Sequence, residues 1–365
     1  VSVRQLKTNS ANGAEEGEIM ATWPDVLGRL MGRNDLTKDD TTWVMDRVLA
    51  DEAPPVAVAA FLAALRTKGE TVDEVAGLAE AMLGHANRIE VPGRAVDVVG
   101  TGGDGRHTVN ISTMASIVVA GTGTTVVKHG NRAASSKCGA ADMLAALGIS
   151  LDLPPARVEE IAKEVGITFC FAQVFHPSMR FAGPIRKEMG VPTTFNILGP
   201  LTNPAQPTSS AIGSASLVLG PVMAGVLANQ GREGIVFRST DGLDELAGTA
   251  PADVWEVRGG KVTQAILDPV ADLGVTAIVI EDLRGGEAEE NAAIARKVLA
   301  GDKGPVRETI ILNAAAGLVA DGVLAGTEVG SLVERFRAGI EYATSAIDSG
   351  EAAKVLERWI EASTR

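Results

Sequence analysis

Residues 128–136, KHGNRAASS, gather a lysine, a histidine, an asparagine, an arginine and two serines around a glycine that lets the backbone turn. Every polar side chain in the stretch can donate a hydrogen bond, and none is an acid. The chemistry this suits is the holding of an anion. A polar surface turn has a similar composition. The stretch, however, follows the β-branched run 124–127, and loops on the ends of buried strands are where ligand-binding residues collect.

A second loop, residues 100–105, GTGGDG, follows another apolar run and satisfies the dinucleotide pattern G-x-G-x-x-G, which alone is weak evidence. A nicotinamide-binding unit requires an acid about twenty residues further on, yet no Asp or Glu occurs between Asp104 and Asp142. The glycines would instead bring amide N–H groups close to phosphate oxygens without any dinucleotide. Asp104 fits that role only through sugar hydroxyls or an amine. Then come Asn110, Ile111, Ser112 and Thr113, directly before an apolar helix. Ser112 or Thr113 would serve as an N-cap, and the same donors at a helix N-terminus suit a phosphate. Three donor-rich loops on neighbouring strand ends favour a ligand carrying more than one phosphate.

The run Asp241-Gly242-Leu243-Asp244-Glu245 follows a further strand. Adjacent acids on a loop are usually solvated. Beside a polyphosphate, Asp244 and Glu245 are natural magnesium ligands, because magnesium takes one or two carboxylates plus substrate oxygens and keeps several waters. Residues 277–282, AIVIED, look like the acidic strand end of the commoner phosphoribosyltransferase class. Leu283-Arg284-Gly285-Gly286 stands where that class has a threonine-rich phosphate loop, so Glu281 and Asp282 are read only as a strand end.

These loops need a scaffold, and 365 residues suffice for two domains. With 41 Gly against 8 Phe, 4 Trp and 1 Tyr, the core is aliphatic and the turns tight. A net charge of −13 repels nucleic acid and anionic membranes, so an anion must be held locally, with a metal cation to help. Cys138 and Cys170 make neither a disulfide framework nor a zinc site. No apolar run reaches transmembrane length and no signal-peptide pattern opens the chain, which makes the cytoplasm the expected compartment.

Residues 1–21 are polar and aperiodic and are expected to be disordered. Four helices follow, one after Thr22-Trp23-Pro24-Asp25 ending near Met31, one from Thr37 to about Ala50, one from Pro54-Pro55 to about Lys68 and one from Thr71, the second and fourth opened by the capping boxes Thr37/Asp40 and Thr71/Glu74. In the fourth, Val72, Val75, Leu78, Ala79 and Met82 share one face. Residues 91–93 read as a hinge. Beyond Arg94, strands at 95–99 and 124–127 alternate with helices at 112–120 and 140–147. Further strands are expected at 168–171, 211–214, 235–237 and 277–280, and helices at 291–300, 305–319 and 331–360. This alternation predicts an α/β domain with a central, mostly parallel sheet. Residues 176–204 turn helical again and suit an excursion back to the bundle.

Taken together, GTGGDG, NIST, KHGNRAASS, the Asp244–Glu245 pair and residues 196–204, NILGPLTNP, resemble the anthranilate phosphoribosyltransferases of tryptophan biosynthesis. The likeness runs from about Trp23 to the C-terminus, and its two longest strings are specific. It implies a small helical domain (22–93 with roughly 176–204) and a larger α/β domain (94–175 with 205–365) of the nucleoside-phosphorylase-like phosphoribosyltransferase fold. It also implies a homodimer formed through the helical domains. The family's reaction moves a phosphoribosyl group from 5-phosphoribosyl-1-diphosphate to the amine of anthranilate.

The resemblance assigns Gly100, Gly103, Asp104, Thr108, Asn110, Ser112, Thr113, Lys128, Asn131, Arg132, Ser135 and Ser136 to the diphosphate sugar. It assigns Gly100, His129, Asn131 and Arg186 to anthranilate, and Ser112, Asp244 and Glu245 to magnesium. A guanidinium fork at Arg186 suits an aromatic carboxylate, although a solvated helix arginine would look the same in sequence. Two positions depart from the family pattern. Ala140 stands where many members have a serine, leaving that contact to Lys137 or a backbone amide, and Met179 stands where some have an aromatic residue. A pyrimidine nucleoside phosphorylase shares the fold, but Asn131-Arg132 and the adjacent acids speak against it. The acidic balance speaks against the nucleic-acid-binding relatives.

Overall fold

A computed structural model describes residues 21–133 and 137–365. The expected disorder of residues 1–21 falls, Ala21 apart, outside the described residues, as do Ser135 and Ser136. Four helices come first: α1 (Trp23–Met31), α2 (Lys38–Leu49), α3 (Pro55–Lys68) and α4 (Val72–Gly84). The starts of α1, α2 and α4 are fixed by short-range hydrogen bonds, and that of α3 by Pro54-Pro55. The Thr37 hydroxyl accepts from the Asp40 N–H at 3.2 Å while the Asp40 carboxylate accepts from the Thr37 N–H at 2.8 Å. Thr71 and Glu74 make the same exchange at 3.3 and 2.8 Å. Buried Glu74 also accepts from the Leu36 N–H at 2.9 Å and from the Lys68 ammonium at 3.0 Å, joining three turns of the bundle.

Seven strands follow: β1 (Val96–Gly100), β2 (Val126–Gly130), β3 (Ile167–Phe171), β4 (Ser209–Gly213), β5 (Glu233–Ser239), β6 (Ala252–Arg258) and β7 (Lys261–Leu267). They form one sheet in the order β3-β2-β1-β4-β5-β6-β7. The first five are parallel, and β6 and β7 close it as an antiparallel hairpin. The remaining helices are α5 (Ile111–Gly121), α6 (Ala140–Ala146), α7 (Pro155–Val165), α8 (Ala172–Phe175), α9 (Ala182–Met189), α10 (Phe195–Leu201) and α11 (Leu219–Asn229). After the hairpin come α12 (Pro269–Leu273), α13 (Ala288–Leu299), α14 (Pro305–Asp321), α15 (Leu332–Asp348) and α16 (Glu351–Thr364).

Side chains alternate across the sheet, and both faces are buried. Val96, Val98, Val126, Ala211 and Ile235 pack with α5, α14, α15 and α16 on one side. Val99, Ile212, Val236, Trp255 and Val257 face the other way, into one core with α1–α4 and α9–α11. The helical excursion after β3 thus shares its core with the opening bundle. Nine residues of α4 are buried, more than a one-sided face would place inside, because α2, α10 and α11 all pack on it.

Two expectations are corrected and one hairpin is added. Residues 277–280 form no strand. The chain instead enters a 3₁₀ turn, Ile280–Leu283, started by the Val279 N–H donating to the Asp282 carboxylate at 3.0 Å. Ala277 and Val279 are exposed there, so the apolar run has no sheet position to fill; β7 already holds the edge. The β6–β7 hairpin is not among the expected strands: β6 buries Val254, Trp255 and Val257, while six of the seven β7 residues are exposed. Its turn, Gly259-Gly260, has φ of 55° and 73°, the left-handed pair a two-residue hairpin requires. Finally, the helix expected over 331–360 is two, parted at Gly350 with φ 78°.

Candidate active site

The loops singled out in the sequence meet at the carboxyl ends of β1, β2, β4 and β5. Gly100 pairs with Gly213 across the sheet, and the Asp244 carboxylate lies over them. A Cβ on Gly100 would sit 2.6 Å from Asp244 Oδ2, so a side chain there is excluded by the acid itself. The Gly102 N–H donates to that same oxygen at 2.7 Å. The glycine-rich loop therefore uses one amide to hold Asp244, while Gly102, Gly103 and Gly105 take positive φ.

Three acids converge beneath this loop. Asp104 Oδ1 accepts from the Arg106 N–H at 3.0 Å, and its Oδ2 is buried with no partner among the described residues. Burial, then the nearby Asp104 charge, pushes Asp244 up to about 7. Burial and then Asp244 push Glu245 well above the usual carboxylate range, against the opposing pull of Lys128. The Ser112 N–H donates to Glu245. Among the described residues, no three His, Cys, Asp or Glu side chains close into a ready-made metal cage. Crowded, under-compensated carboxylates beside a hydroxyl nonetheless suit a hard cation that brings its own water and substrate oxygens.

Lys128 and His129 are neighbours on β2 and so point to opposite faces of the sheet. Lys128 is buried, its ammonium donating to the Val98 carbonyl at 2.5 Å and to Ser112 Oγ at 3.2 Å. Burial pushes its pKa down, while Asp97 and Glu245 oppose the shift. On the far face His129 places Nδ1 2.8 Å from the Gly199 carbonyl of α10, which fixes the proton on that nitrogen. His129 Nε2 is buried and unpartnered among the described residues. Its ring lies 5.1 Å from that of His176, whose Nε2 is 3.0 Å from the Thr202 carbonyl. Burial lowers both histidines, His129 to about 3 and His176 to about 4, so both are neutral at pH 7.

Arg186 of α9 lies with its guanidinium 5.2 Å from the Phe195 ring centre. Burial lowers its pKa, and no acid or hydrogen-bond acceptor among the described residues engages it. Phe195 and Gly199 are four residues apart on α10, hence on one face of that helix. The arginine and His129 accordingly flank the same helix. Met179 packs half-buried against the bundle core.

Other expected residues are placed differently. The Asn110 amide is used internally: Oδ1 accepts from Asn291 at 2.9 Å and Nδ2 donates to the Cys138 carbonyl at 3.1 Å. Arg132 is exposed and pairs with Asp142 at 2.9 Å. Asp142 also accepts from the Ala133 and Gly139 N–H groups, each at 2.9 Å. Burial would raise Asp142, but these hydrogen bonds hold it below the usual range. Asn131 is exposed, and its side chain accepts from the Arg132 N–H at 2.8 Å. Thr108 is bridged to Arg284, and the buried Thr113 hydroxyl has no partner among the described residues. Lys137 is exposed, its ammonium 4.0 Å from Glu287, and Ala140 lies half-buried at the start of α6.

Several residues that shape the site went unnoticed in the sequence: Asp97, Asp142, His176, Asn203, Arg232 and Asn291. Asp142 had a local signal, an acid three residues after Gly139 at the start of a helix. The others act over long separations, as when Asn203 donates to the Asp97 carboxylate at 2.9 Å across 106 positions.

Residues 24–86 match the helical bundle domain of a glycosyl transferase family and residues 92–353 match its a/b domain. The chain is thus a glycosyl transferase of this two-part class. An anthranilate phosphoribosyltransferase from Arthrobacter sp. (strain FB24) is 56% identical over 339 residues, 93% of this chain and 95% of that one. One from Thermobifida fusca (strain YX) is 51% identical over 343 residues, 94% and 97% of the two chains. Among solved structures, anthranilate phosphoribosyltransferase from Thermus thermophilus superposes with a TM-score of 0.86 at 40% identity, covering 93% of this chain and all of the other (100%). The Saccharomyces cerevisiae enzyme in complex with PRPP and Mg gives a TM-score of 0.83 at 29% identity, covering 94% and 98%. The chain belongs to the anthranilate phosphoribosyltransferase family.

Proposed function

We propose that this chain transfers the phosphoribosyl group of 5-phosphoribosyl-1-diphosphate to the amine of anthranilate, releasing diphosphate, in tryptophan biosynthesis. The observation that carries the reading is the division of labour across β2. Lys128 turns toward Ser112 and the acids, and His129 turns toward the helix that also carries the Arg186 and Phe195 contact. A polyanion and an aromatic carboxylate would then be held on opposite sides of one strand end.

The aryl amine of anthranilate is neutral at pH 7, so its lone pair attacks the anomeric carbon without a strong base. The C1–oxygen bond to diphosphate breaks as the new C1–nitrogen bond forms, and the nitrogen then gives up a proton. Loop N–H groups and Lys128 would stabilise the charge on the departing diphosphate, usually the largest contribution in such sites. Asp244, Glu245 and Ser112 are the residues that would hold magnesium, which supplies further neutralisation of that leaving group. The unpaired Arg186 fork would fix the anthranilate carboxylate, and closure of the two domains, divided as the sequence suggests, would bring amine and carbon together.

Turnover of diphosphate sugar, magnesium and anthranilate is expected and is read as loss of anthranilate fluorescence. Phosphorolysis of uridine or thymidine with anthranilate untouched would overturn the reading in favour of a nucleoside phosphorylase. Arg186→Ala should raise the KM for anthranilate about 10–100-fold, the worth of a charged hydrogen bond, while sparing the KM for the diphosphate sugar. We read the bundle as the pairing surface of a homodimer, with Met31 and Val56 exposed on it. The cytoplasm is the proposed compartment, in keeping with two buried cysteines that form no disulfide. No helix among the described residues is long and apolar enough to cross a membrane.

A further inference from the structure

The segment Leu283-Arg284-Gly285-Gly286, which lacks the threonines of a phosphate loop, is nevertheless bonded to the loop that the diphosphate sugar would meet. The Val109 N–H donates to the Leu283 carbonyl at 2.9 Å, and the Gly285 N–H donates to the His107 carbonyl at 2.9 Å. The approach leaves no room for a side chain. A Cβ on Gly285 would lie 2.8 Å from the Thr108 carbonyl oxygen and 3.0 Å from Asn291 Oδ1.

Asn291, in the first turns of α13, is 1% exposed. Its Oδ1 accepts from the Gly286 N–H at 2.8 Å and its Nδ2 donates to Asn110 Oδ1 at 2.9 Å. The Asn110 amide continues to the Cys138 carbonyl at 3.1 Å. The Asn291 amide, with that of Asn110, thus ties together the loop before α5, the chain at Cys138 and the 285–286 turn. The Asn110 backbone carbonyl also accepts the Met114 N–H at 3.1 Å, so its position sets the first turn of α5, which carries Ser112 and Thr113.

We infer that Asn291 is a positioning residue for the phosphate side of the reaction, holding Asn110 and hence Ser112 where diphosphate must be gripped. It touches no substrate and acts through Asn110. The inference rests on the function proposed above. A purely architectural amide at the start of α13 would support the fold and nothing more. The two roles part in the kinetics, because the knot joins only the loops on the Lys128 face of the sheet.

The test uses full-length Asn291→Ala, Asn291→Asp, Asn110→Ala and the double Asn110→Ala/Asn291→Ala. Asn291→Asp keeps an acceptor for the Gly286 N–H and loses the donor to Asn110. Each single variant should raise the KM for the diphosphate sugar or lower kcat by about 10–100-fold, the usual cost of losing a buttress behind a binding group. The KM for anthranilate should stay within about twofold, and the double should cost no more than the worse single, because both cut one path. Calorimetry with inorganic diphosphate and magnesium reads the same loss without turnover. It thereby separates failure of this inference from failure of the assigned reaction. If Asn291→Ala does not fold, Asn291→Asp and Asn110→Ala carry the test. A lowered Tm with both KM values and diphosphate affinity unchanged overturns the inference, as do additive losses in the double variant.

Discussion

Two clusters of buried charge lie close together in the central sheet and are built in opposite ways. Around Asp97, which is fully buried, the partners are complete. Its carboxylate accepts from Asn203 at 2.9 Å and from the His129 N–H at 3.3 Å, with Lys128 and Arg232 supplying positive charge. Arg232, lowered by burial to about 10, donates to the Pro207 carbonyl at 2.9 Å and to Gln230 at 3.3 Å. Around Asp244 the neighbours are further acids, and one Asp104 oxygen has no partner among the described residues. The first cluster is finished by the protein and sets the backbone under His129. The second is finished only by something brought in. Buried charge in itself does not mark function here; buried charge with too little counter-charge, three acids against the single Lys128, does.

Removing a member of the closed cluster should be the most damaging change. Asp97→Ala leaves Arg232 buried without its acid and Lys128 with Glu245 alone, and should cost about 3–5 kcal/mol of stability, read by urea unfolding. A cost below about 1 kcal/mol would erase the distinction between the clusters. The open cluster should behave in reverse. Asp244→Asn with Glu245→Gln should lower kcat by about 10²–10³-fold, yet leave Tm in magnesium-free buffer unchanged or raised.

A smaller effect sharpens the contrast through pH. Asp244, at about 7 against 3.8, and Glu245, raised above 4.5, keep protons in the fold that the unfolded chain releases. The stability tied to them is complete below about pH 4 and is lost as pH rises through about 7. Wild-type Tm at pH 8 should therefore fall about 2–4 °C below that of the Asn/Gln variant, with the gap closing near pH 4. Magnesium should restore wild type alone. The histidines run the other way: His129 at about 3 and His176 at about 4 lend stability that is complete above 6.5 and is lost as pH falls toward those values. The comparison of wild type with variant at each pH removes that shared background.

What the sequence disclosed was what local chemistry decides. Thr37 with Asp40 and Thr71 with Glu74 act within three positions of themselves, and the glycine-rich turn and the acidic pair at 244–245 show in their composition although they meet over 142 positions. Residues 277–280 misled because a short apolar run promises a strand only where a sheet has a place for one, and the β6–β7 hairpin had taken it. β7 itself was hidden by its exposure. Asn291 offered no signal at all, since its meaning lies in Asn110, 181 positions away. Arg132 and Asp142, by contrast, are only ten positions apart.

Because side chains along a strand alternate, the ammonium of Lys128 and the imidazole of His129 can serve opposite faces only in one register of β2. Sliding that strand by a single residue would send each group to the other's side and turn the whole pattern of buried side chains inside out. Insertions or deletions within residues 126–130 should therefore be intolerable where point substitutions are graded. The spacing of this strand is as much a part of the chemistry as the identity of its residues.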